Sequence, residues 1–502
     1  MRLNIFSINK NDLPELRKKL AAIGMSIIHS EEQVGWQGSF YFSNDPKPGT
    51  IDWAETFQTY FDKVPKPENI NYFAVYLFTR RNRAYAVSYG KAHFYLRQFC
   101  DHDFGVEVAK RIANEYDIRQ TSSKRFAGKR KKDIKSFTAN TRLDVESGES
   151  VDYLQAAIIT NKQSDFGKAG KFGSSAQLIL NIISSEIGAF LTKLEAEMKN
   201  DPLFPLPRTT IITESNEIAK YDKMLIDELL SGAKASEFTD NSYDLYGVDF
   251  VFPNDGRYRI WCPKYDKDLE VERLSVADLR KFIKDCSIDR ADILSIKITF
   301  AQEGRPKFTR NIKEALDYIA SNEHVVLSNG KWMRFNQDYL DFLDAYIETI
   351  EIEEPESEFE EISLTETDFN ISQTILDKGY VVADKDFSKI KIKSGTPVEA
   401  WDLQKDKTVY AVKFGTAQKL GYVCDQATAT LEIIRTGANA KKLPDFRRYA
   451  LWLGYESTPN RLKSIKDSRS LILKQKIESW ARKSRDLGIE PVIKISRKTK
   501  SK

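Results

Sequence analysis

Histidine is scarce in this chain. Among 502 residues there are four, His29, His93, His102 and His324, and none sits beside a plausible nucleophile. His93 and His102 flank an apolar helical stretch, where a packed imidazole is the ordinary outcome. An enzyme built on a histidine base and a serine or cysteine nucleophile is therefore poorly supported. Cysteine is as rare. Cys100, Cys262, Cys286 and Cys424 lie far apart and form no CxxC pair. That spacing argues against a zinc site and a disulfide framework, and fits reduced thiols. Cys424 reads as a buried structural thiol. No apolar run is long enough for a membrane span, and the start, MRLNIFSINKND, has no signal-peptide core. The expected setting is cytoplasmic, with no membrane partner. The glycine-rich stretch DFGKAGKFGSS, residues 165–175, lacks the GxxxxGK[ST] spacing of a nucleotide-binding loop. A tight turn before a helix is its plainer reading.

What the chain does have is a globular balance. Hydrophobic residues make up 41% and charged residues 30%, so a packed core is affordable and disorder is not expected. The length implies roughly two to four domains. Net charge is only +4, but it is unevenly placed. The seventeen residues RQTSSKRFAGKRKKDIK, 119–135, hold eight cations against Asp133 alone. They are Arg119, Lys124, Arg125, Lys129, Arg130, Lys131, Lys132 and Lys135. A second basic cluster holds Arg482, Lys483 and Arg485. Both are expected to contact nucleic-acid phosphates, with a solvated loop as the bland alternative. Acid crowds residues 351–361 instead.

The patterning predicts an α+β multidomain protein. An α/β domain is expected over 1–137, with a hairpin at Asn71–Tyr89 and helices at His93–Cys100 and Val106–Tyr116. An α+β domain is expected over 138–350. It has a strand at Val151–Ile159, a long helix at Ala176–Lys199, a hairpin on Asn329-Gly330 and a helix at Gln337–Ile347. Residues 351–367, acidic and interrupted by Pro355, are expected to be an exposed linker. Residues 368–502 are then a separable domain.

That last domain carries the most informative pattern. Val398–Leu403 reads as a strand, Gln404–Lys407 as a turn, Thr408–Phe414 as a second strand and Gln418–Ile434 as a helix. Ser468–Leu487 reads as a basic helix, Gly488 as its cap and Ile489–Ile495 as a final strand. Metal-dependent nucleases hold Mg²⁺ or Mn²⁺ with carboxylates on neighbouring strands and use a lysine to orient or activate water. Here Glu399 and Asp402 are the candidate carboxylates and metal ligands, Lys413 the lysine, and Gln426 a bracing residue on the following helix. The order of elements resembles the restriction-endonuclease-like superfamily, an α/β core with a central mixed sheet flanked by helices. That pattern wants an acid two residues before the lysine. This chain has Ala411 there. A solvated cross-strand salt bridge is the alternative. Glu399 and Asp402 are three apart, so strict alternation places them on opposite faces unless a twist, bulge or strand end intervenes.

Several stretches together resemble a known family. They are Tyr89-Gly90, Asp103-Phe104-Gly105-Val106, Gly170–Ser175, Asn329-Gly330-Lys331-Trp332, and above all Val398-Glu399-Ala400-Trp401-Asp402-Leu403 with Val412-Lys413. Their order resembles a sporadically distributed bacterial family of unsettled function, found on mobile and anti-phage defence islands. The family tends to carry Ser-His-Leu-Phe-x-Gln in the helix after the lysine. Here only Gln426 of that run survives, and the acid before the lysine is missing in the family too. The resemblance implies a defence context but gives no reaction.

Two functions compete. The first is an anti-phage effector that binds nucleic acid, expected to be DNA, and cleaves it with Mg²⁺ or Mn²⁺. The second is a non-catalytic sensor or adaptor for nucleic acid or phage protein, needing no cofactor and working as a homo-oligomer or with defence-system partners. Convergence of Glu399, Asp402 and Lys413 in space separates them.

Overall fold

In the computed structural model the chain divides into two compact units. The structure describes every residue except 47, 50, 126–131, 232–247, 251–256, 272–275, 302–307, 321–322, 329, 384–400, 436–445, 457–459, 469 and 500–502. Unit one comprises 1–124, 132–145 and 149–208, and unit two comprises 125–131, 146–148 and 209–502.

Among the described residues, unit one is built on ten strands. They are β1 (Arg2–Ser7), β2 (Met25–Gln33), β3 (Trp36–Ser43), β4 (Ala74–Arg80), β5 (Arg83–Tyr89), β6 (Ala113–Arg125), β7 (Lys132–Thr141), β8 (Glu149–Ile158), β9 (Ala169–Phe172) and β10 (Ala176–Ile179). Their order across the sheet is β2-β3-β4-β5-β1-β10-β9-β8-β6-β7. The expected hairpin is β4–β5, in register from Ala74↔Tyr89 to Arg80↔Arg83. Alternation gives β1 two apolar faces. Leu3 and Ile5 join one buried cluster, and Phe6 and Ile8 the other.

Three expectations change here. The helix expected at Val106–Tyr116 is Phe104–Ile112, and β6 begins at Ala113. The long helix expected from Ala176 is β10 followed by a helix at Ile187–Glu197. The described parts of the basic stretch 119–135 are paired strands: β6 runs antiparallel to β7, with Lys124 opposite Lys132.

Among the described residues, unit two holds three sheets. The middle of the chain supplies β11 (Thr209–Ile211), β12 (Val248–Phe250), β13 (Arg257–Trp261), β14 (Asp268–Val271), β15 (Lys297–Ala301), β16 (Phe308–Asn311), β17 (Leu316–Ala320), β18 (Val325–Ser328) and β19 (Lys331–Phe335). They form one sheet ordered β11-β19-β18-β17-β12 and another ordered β14-β13-β15-β16. The expected hairpin is β18–β19, and the expected helix runs Gln337–Glu348.

The third sheet positions the site. It uses β20 (Glu351–Glu353), β21 (Glu361–Ile362), β22 (Val381–Val382), β23 (Leu403–Lys405), β24 (Thr408–Gly415), β25 (Arg448–Tyr455) and β26 (Glu490–Lys498). The order is β20-β26-β25-β24-β23-β22, with β21 also on β26. β23 and β24 are antiparallel across Asp406-Lys407, and Asp406 takes a positive φ of 51° that aspartate tolerates in a tight turn. β24, β25 and β26 are parallel. The helix Ala417–Arg435 links β24 to β25, and Leu471–Asp486 precedes β26. Gly488, at φ 70°, follows that helix in the left-handed conformation typical of a helix end. Gly454 lies opposite Phe414, and a Cβ there would meet the Phe414 ring at 2.3 Å.

The acidic stretch is not an exposed linker. β20 and β21 both pair with β26 in parallel, and Phe359 and Ile362 are buried. Its carboxylates meet cations of the same unit: Glu354 pairs with Arg461 at 2.7 Å, Glu358 with Lys378 at 2.6 Å and Glu361 with Arg497 at 2.7 Å. A folded preparation is therefore expected to resist limited proteolysis at 351–362. Cleavage there ahead of all other sites, read by mass spectrometry, would contradict this pairing.

Four free cysteines are present, with Cys100, Cys262 and Cys424 buried. Among the described residues, no helix is long and apolar enough to cross a membrane.

Candidate functional site

Each face of β24 has its own neighbours. Tyr410, Val412 and Phe414 pack with Phe369 and Trp452. Val409 and Ala411 pack on the other side with Leu420, Val423 and Ala427 of the following helix. Alternation puts Lys413 on the Val409 and Ala411 face, where its ammonium lies 5.9 Å from the Tyr422 ring centre. Every other residue of β24 is buried, whereas the Lys413 side chain is 26% exposed. The ammonium thus emerges at the mouth of a packed sheet.

A small open pocket forms there, lined by Asp402, Lys413 and Gln426 together with Glu366, Trp401, Ala411 and Tyr449. Three of the four expected site residues therefore meet. Glu399 lies outside the described residues. Asp402 sits just before β23, at the strand end. Its main-chain N–H donates to the Tyr410 carbonyl at 2.9 Å, and its Oδ2 accepts from the Val412 N–H at 2.6 Å. The main chain of β24 therefore orients this carboxylate. Tyr449 is fully buried beside it. Burial pushes the Tyr449 hydroxyl well above the usual phenol range, and the Asp402 charge pushes the same way, although a hydrogen bond with Thr430 opposes both. The phenol stays protonated and gives the pocket a neutral floor.

The carboxylate that meets Lys413 is not Asp402, the expected neighbour. It is Glu366, whose Oε1 accepts from Lys413 Nζ at 2.9 Å. Glu366 opens the helix Glu366–Asn370, whose first turn is capped by the Thr365 side chain. The sequence reading missed it. Forty-seven residues separate it from Lys413, and no short motif spans that gap. Ala411 lines the same pocket, so an acid at that position would have reached it; Glu366 enters from a different element.

The expected nucleic-acid contacts fare differently. Lys129, Arg130 and Lys131 lie outside the described residues, and of Lys132 only the β7 backbone is described. Arg119 pairs with Asp117 at 3.0 Å and Lys124 with Asp152 at 3.4 Å. Arg125 bonds Glu146 and lies 3.7 Å from Glu478, with 14% of its side chain exposed. The second cluster belongs to a packed helix, Leu471–Asp486. Arg482 holds the buried Glu478 at 2.6 Å and stacks on Tyr346, Lys483 holds Glu432 at 2.5 Å, and Arg485 donates to the Thr349 carbonyl at 2.8 Å.

A second charge cluster lies on the opposite face of the sheet. Lys494 of β26 has 1% of its side chain exposed. Its Nζ donates to Glu353 at 2.9 Å, Glu356 at 2.7 Å and the Tyr380 hydroxyl at 2.8 Å, and it sits 4.4 Å from the Trp452 ring centre. Burial alone would raise the Glu356 carboxyl. Hydrogen bonds from Lys494 and Tyr380, with the Lys494 charge, outweigh that and hold it at about 2. A depressed carboxyl stabilises the fold fully above its unfolded value and loses that contribution as pH falls through the folded one. Glu356 is therefore expected to contribute about 3 kcal/mol near neutrality, lost between about pH 5 and pH 2. Urea unfolding across that range checks it: Glu356→Gln should flatten the acid limb, and an unchanged limb would contradict the assignment.

The pocket falls inside the region that identifies the chain, whereas Lys494 and Trp452 of the second cluster lie beyond it. Residues 12–448 match the model of a family of unknown function, DUF6119. The chain belongs to this family. No curated protein and no solved structure matches it. The DUF6119 match takes in Glu366, Asp402, Lys413 and Gln426 and ends at the start of β25.

Proposed function

We propose that this DUF6119 protein binds DNA in anti-phage defence and hydrolyses phosphodiester bonds at the Lys413 pocket with Mg²⁺ or Mn²⁺. The observation that carries this is the meeting of Asp402, Lys413, Gln426 and Glu366 around one pocket. The surrounding order supports a derived restriction-endonuclease-like core: helix 366–370, strands β22, β23 and β24, helix 417–435 and strand β25. The likeness to a family of mobile and defence islands supports the setting.

Among the described residues, no group of three or more Asp, Glu, His or Cys is placed to hold a metal alone. Two carboxylates line the pocket, and that suits Mg²⁺, which keeps much of its water and completes its shell with substrate phosphate. Asp402 and Glu366 are the residues that would hold it. When bound, the cation supplies charge neutralisation and an activated water. Lys413 holds a phosphate oxygen or the attacking water, and the Gln426 amide orients one of them.

Ala411, at the position where the pattern wants an acid, favours a second reading, a non-catalytic sensor of DNA or phage protein. Fluorescence anisotropy of a labelled duplex at 50 and 200 mM salt tests the reading common to both DNA forms. Affinity should fall steeply with salt, since neutralised phosphates release counterions. Affinity that stays flat would remove DNA binding through phosphates.

A further inference from the structure

The strand β2 is an edge of the ten-stranded sheet. Among the described residues it pairs with β3 alone. Residues 26–30 are exposed one after another, so both faces of the strand are open there, and Ile27 and Ile28 are 51% and 55% exposed. An open edge offers a row of main-chain donors and acceptors to another strand, and edges are commonly guarded by lysine or proline. The strand MSIIHSEEQ has neither. It has one bulge, between Ile27 and His29, and from His29 to Gln33 its register with β3 is unbroken.

The carboxylate on that regular stretch is fixed in place. Glu31 Oε1 accepts from Gln33 Nε2 at 2.7 Å and from the Tyr76 hydroxyl. His29 stands two residues away on the same face, with 60% of its side chain exposed. Its Nε2 lies 3.7 Å from that oxygen, too long for a good hydrogen bond. The ring therefore keeps donor capacity for a carboxylate from outside.

Symmetry restricts how a second copy of β2 can add. Two such strands, antiparallel about a two-fold axis normal to the sheet, must set residues of the same face opposite each other. Only registers centred on a residue do this. Centring on His29 opposes two imidazoles, and centring on Glu31 or Glu32 opposes two carboxylates. Centring on Ser30 sets His29 opposite Glu31 of the second copy, twice over. An imidazole N–H and a carboxylate complement each other whether the ring is neutral or protonated.

We infer that β2 is a self-association edge: two copies of this chain pair antiparallel through residues 28–32, centred on Ser30, and join their sheets. The pairing is short, so the dimer is weak and forms at micromolar concentration or above.

Light scattering over a dilution series of the full chain reads the mass, and single cysteines read the register. Ser30→Cys places two thiols opposite each other at the axis, within reach of a disulfide. Ile28→Cys places them four residues apart along the strands, about 13 Å. Under mild oxidation Ser30→Cys should give mostly linked dimer. Ile28→Cys should give no more than the wild type, whose Cys286 is partly exposed. His29→Glu should weaken association by about tenfold, because two like-charge pairs replace two complementary ones. Glu31→Lys should weaken it likewise, and mixing the two variants should restore a heterodimer. Thermal melting confirms that each variant folds. A wild type that stays monomeric up to its solubility limit overturns the pairing. So does a dimer that His29→Glu leaves unchanged, or one that links through Ile28→Cys as readily as through Ser30→Cys.

Discussion

Lys413→Ala is expected to lower metal-dependent DNA cleavage by about a hundred- to a thousandfold, the cost of removing one charge-stabilising group from a nuclease-type site. Lys413 is the cation among the described residues that line the pocket. Its strand is buried on both sides of it, so alanine fits the backbone without strain. The Glu366 carboxylate left behind is 30% exposed and hydrated, and the fold should lose no more than about 1 kcal/mol. Duplex affinity should weaken, and the salt slope should fall by about one phosphate contact. Asp402→Asn separates binding from chemistry. Its amide oxygen can still accept from the Val412 N–H, so the local backbone is kept. It should abolish cleavage and leave binding without metal equal or stronger, because a charge that repels phosphate is gone. Wild-type behaviour of Lys413→Ala in cleavage, affinity and phage protection alike would reduce the constellation to a solvated salt bridge.

The largest stability effect is expected at Lys494. Lys494→Ala should cost about 3–5 kcal/mol, because it removes one member of a buried ionic cluster and leaves the others uncompensated. Glu353 would then lose the Lys494 ammonium with about a fifth of its side chain exposed, and Glu356 would keep the Lys405 ammonium at 3.3 Å. The rings of Trp452, Tyr380 and Tyr410 would lose the cation they surround. The cause is checked by pairing Lys494→Met with Glu353→Gln and Glu356→Gln. Removing the stranded charges should recover much of the loss in urea midpoint. A Lys494→Ala midpoint equivalent to less than about 0.5 kcal/mol would show that the cluster does not stabilise the sheet.

The Lys494 cluster also shows why the acidic stretch misleads a sequence reader. Seven glutamates between 351 and 361 look like a solvated linker. Lys378 lies only twenty residues beyond Glu358, but Arg448, Arg461, Lys494 and Arg497 arrive from about a hundred residues or more away, and no local pattern announces them. β6 hides for a related reason. Its buried positions include Thr121, Ser122 and Ser123, so alternation between apolar and polar residues is lost. The stretch at Ala176 fails differently: a short apolar run satisfies helix and strand templates alike. The legible elements are those with strong local chemistry. β4–β5 and β18–β19 have aromatic and β-branched runs around tight turns, and β24 with its helix has an apolar strand followed by a long helical period. The pocket was legible to the same extent. Asp402, Lys413 and Gln426 lie within twenty-five residues and could be assembled from strand order, whereas Glu366 could be found only in three dimensions.

The most direct measurement is a time course of supercoiled plasmid with purified wild type in Mn²⁺, beside Lys413→Ala and a chelator control. The wild type should nick and linearise the plasmid, and this cleavage should stop with the chelator and fall by about a hundredfold or more in Lys413→Ala. Cleavage that proceeds equally in Lys413→Ala would contradict it, and so would a wild type that neither cuts nor binds the plasmid.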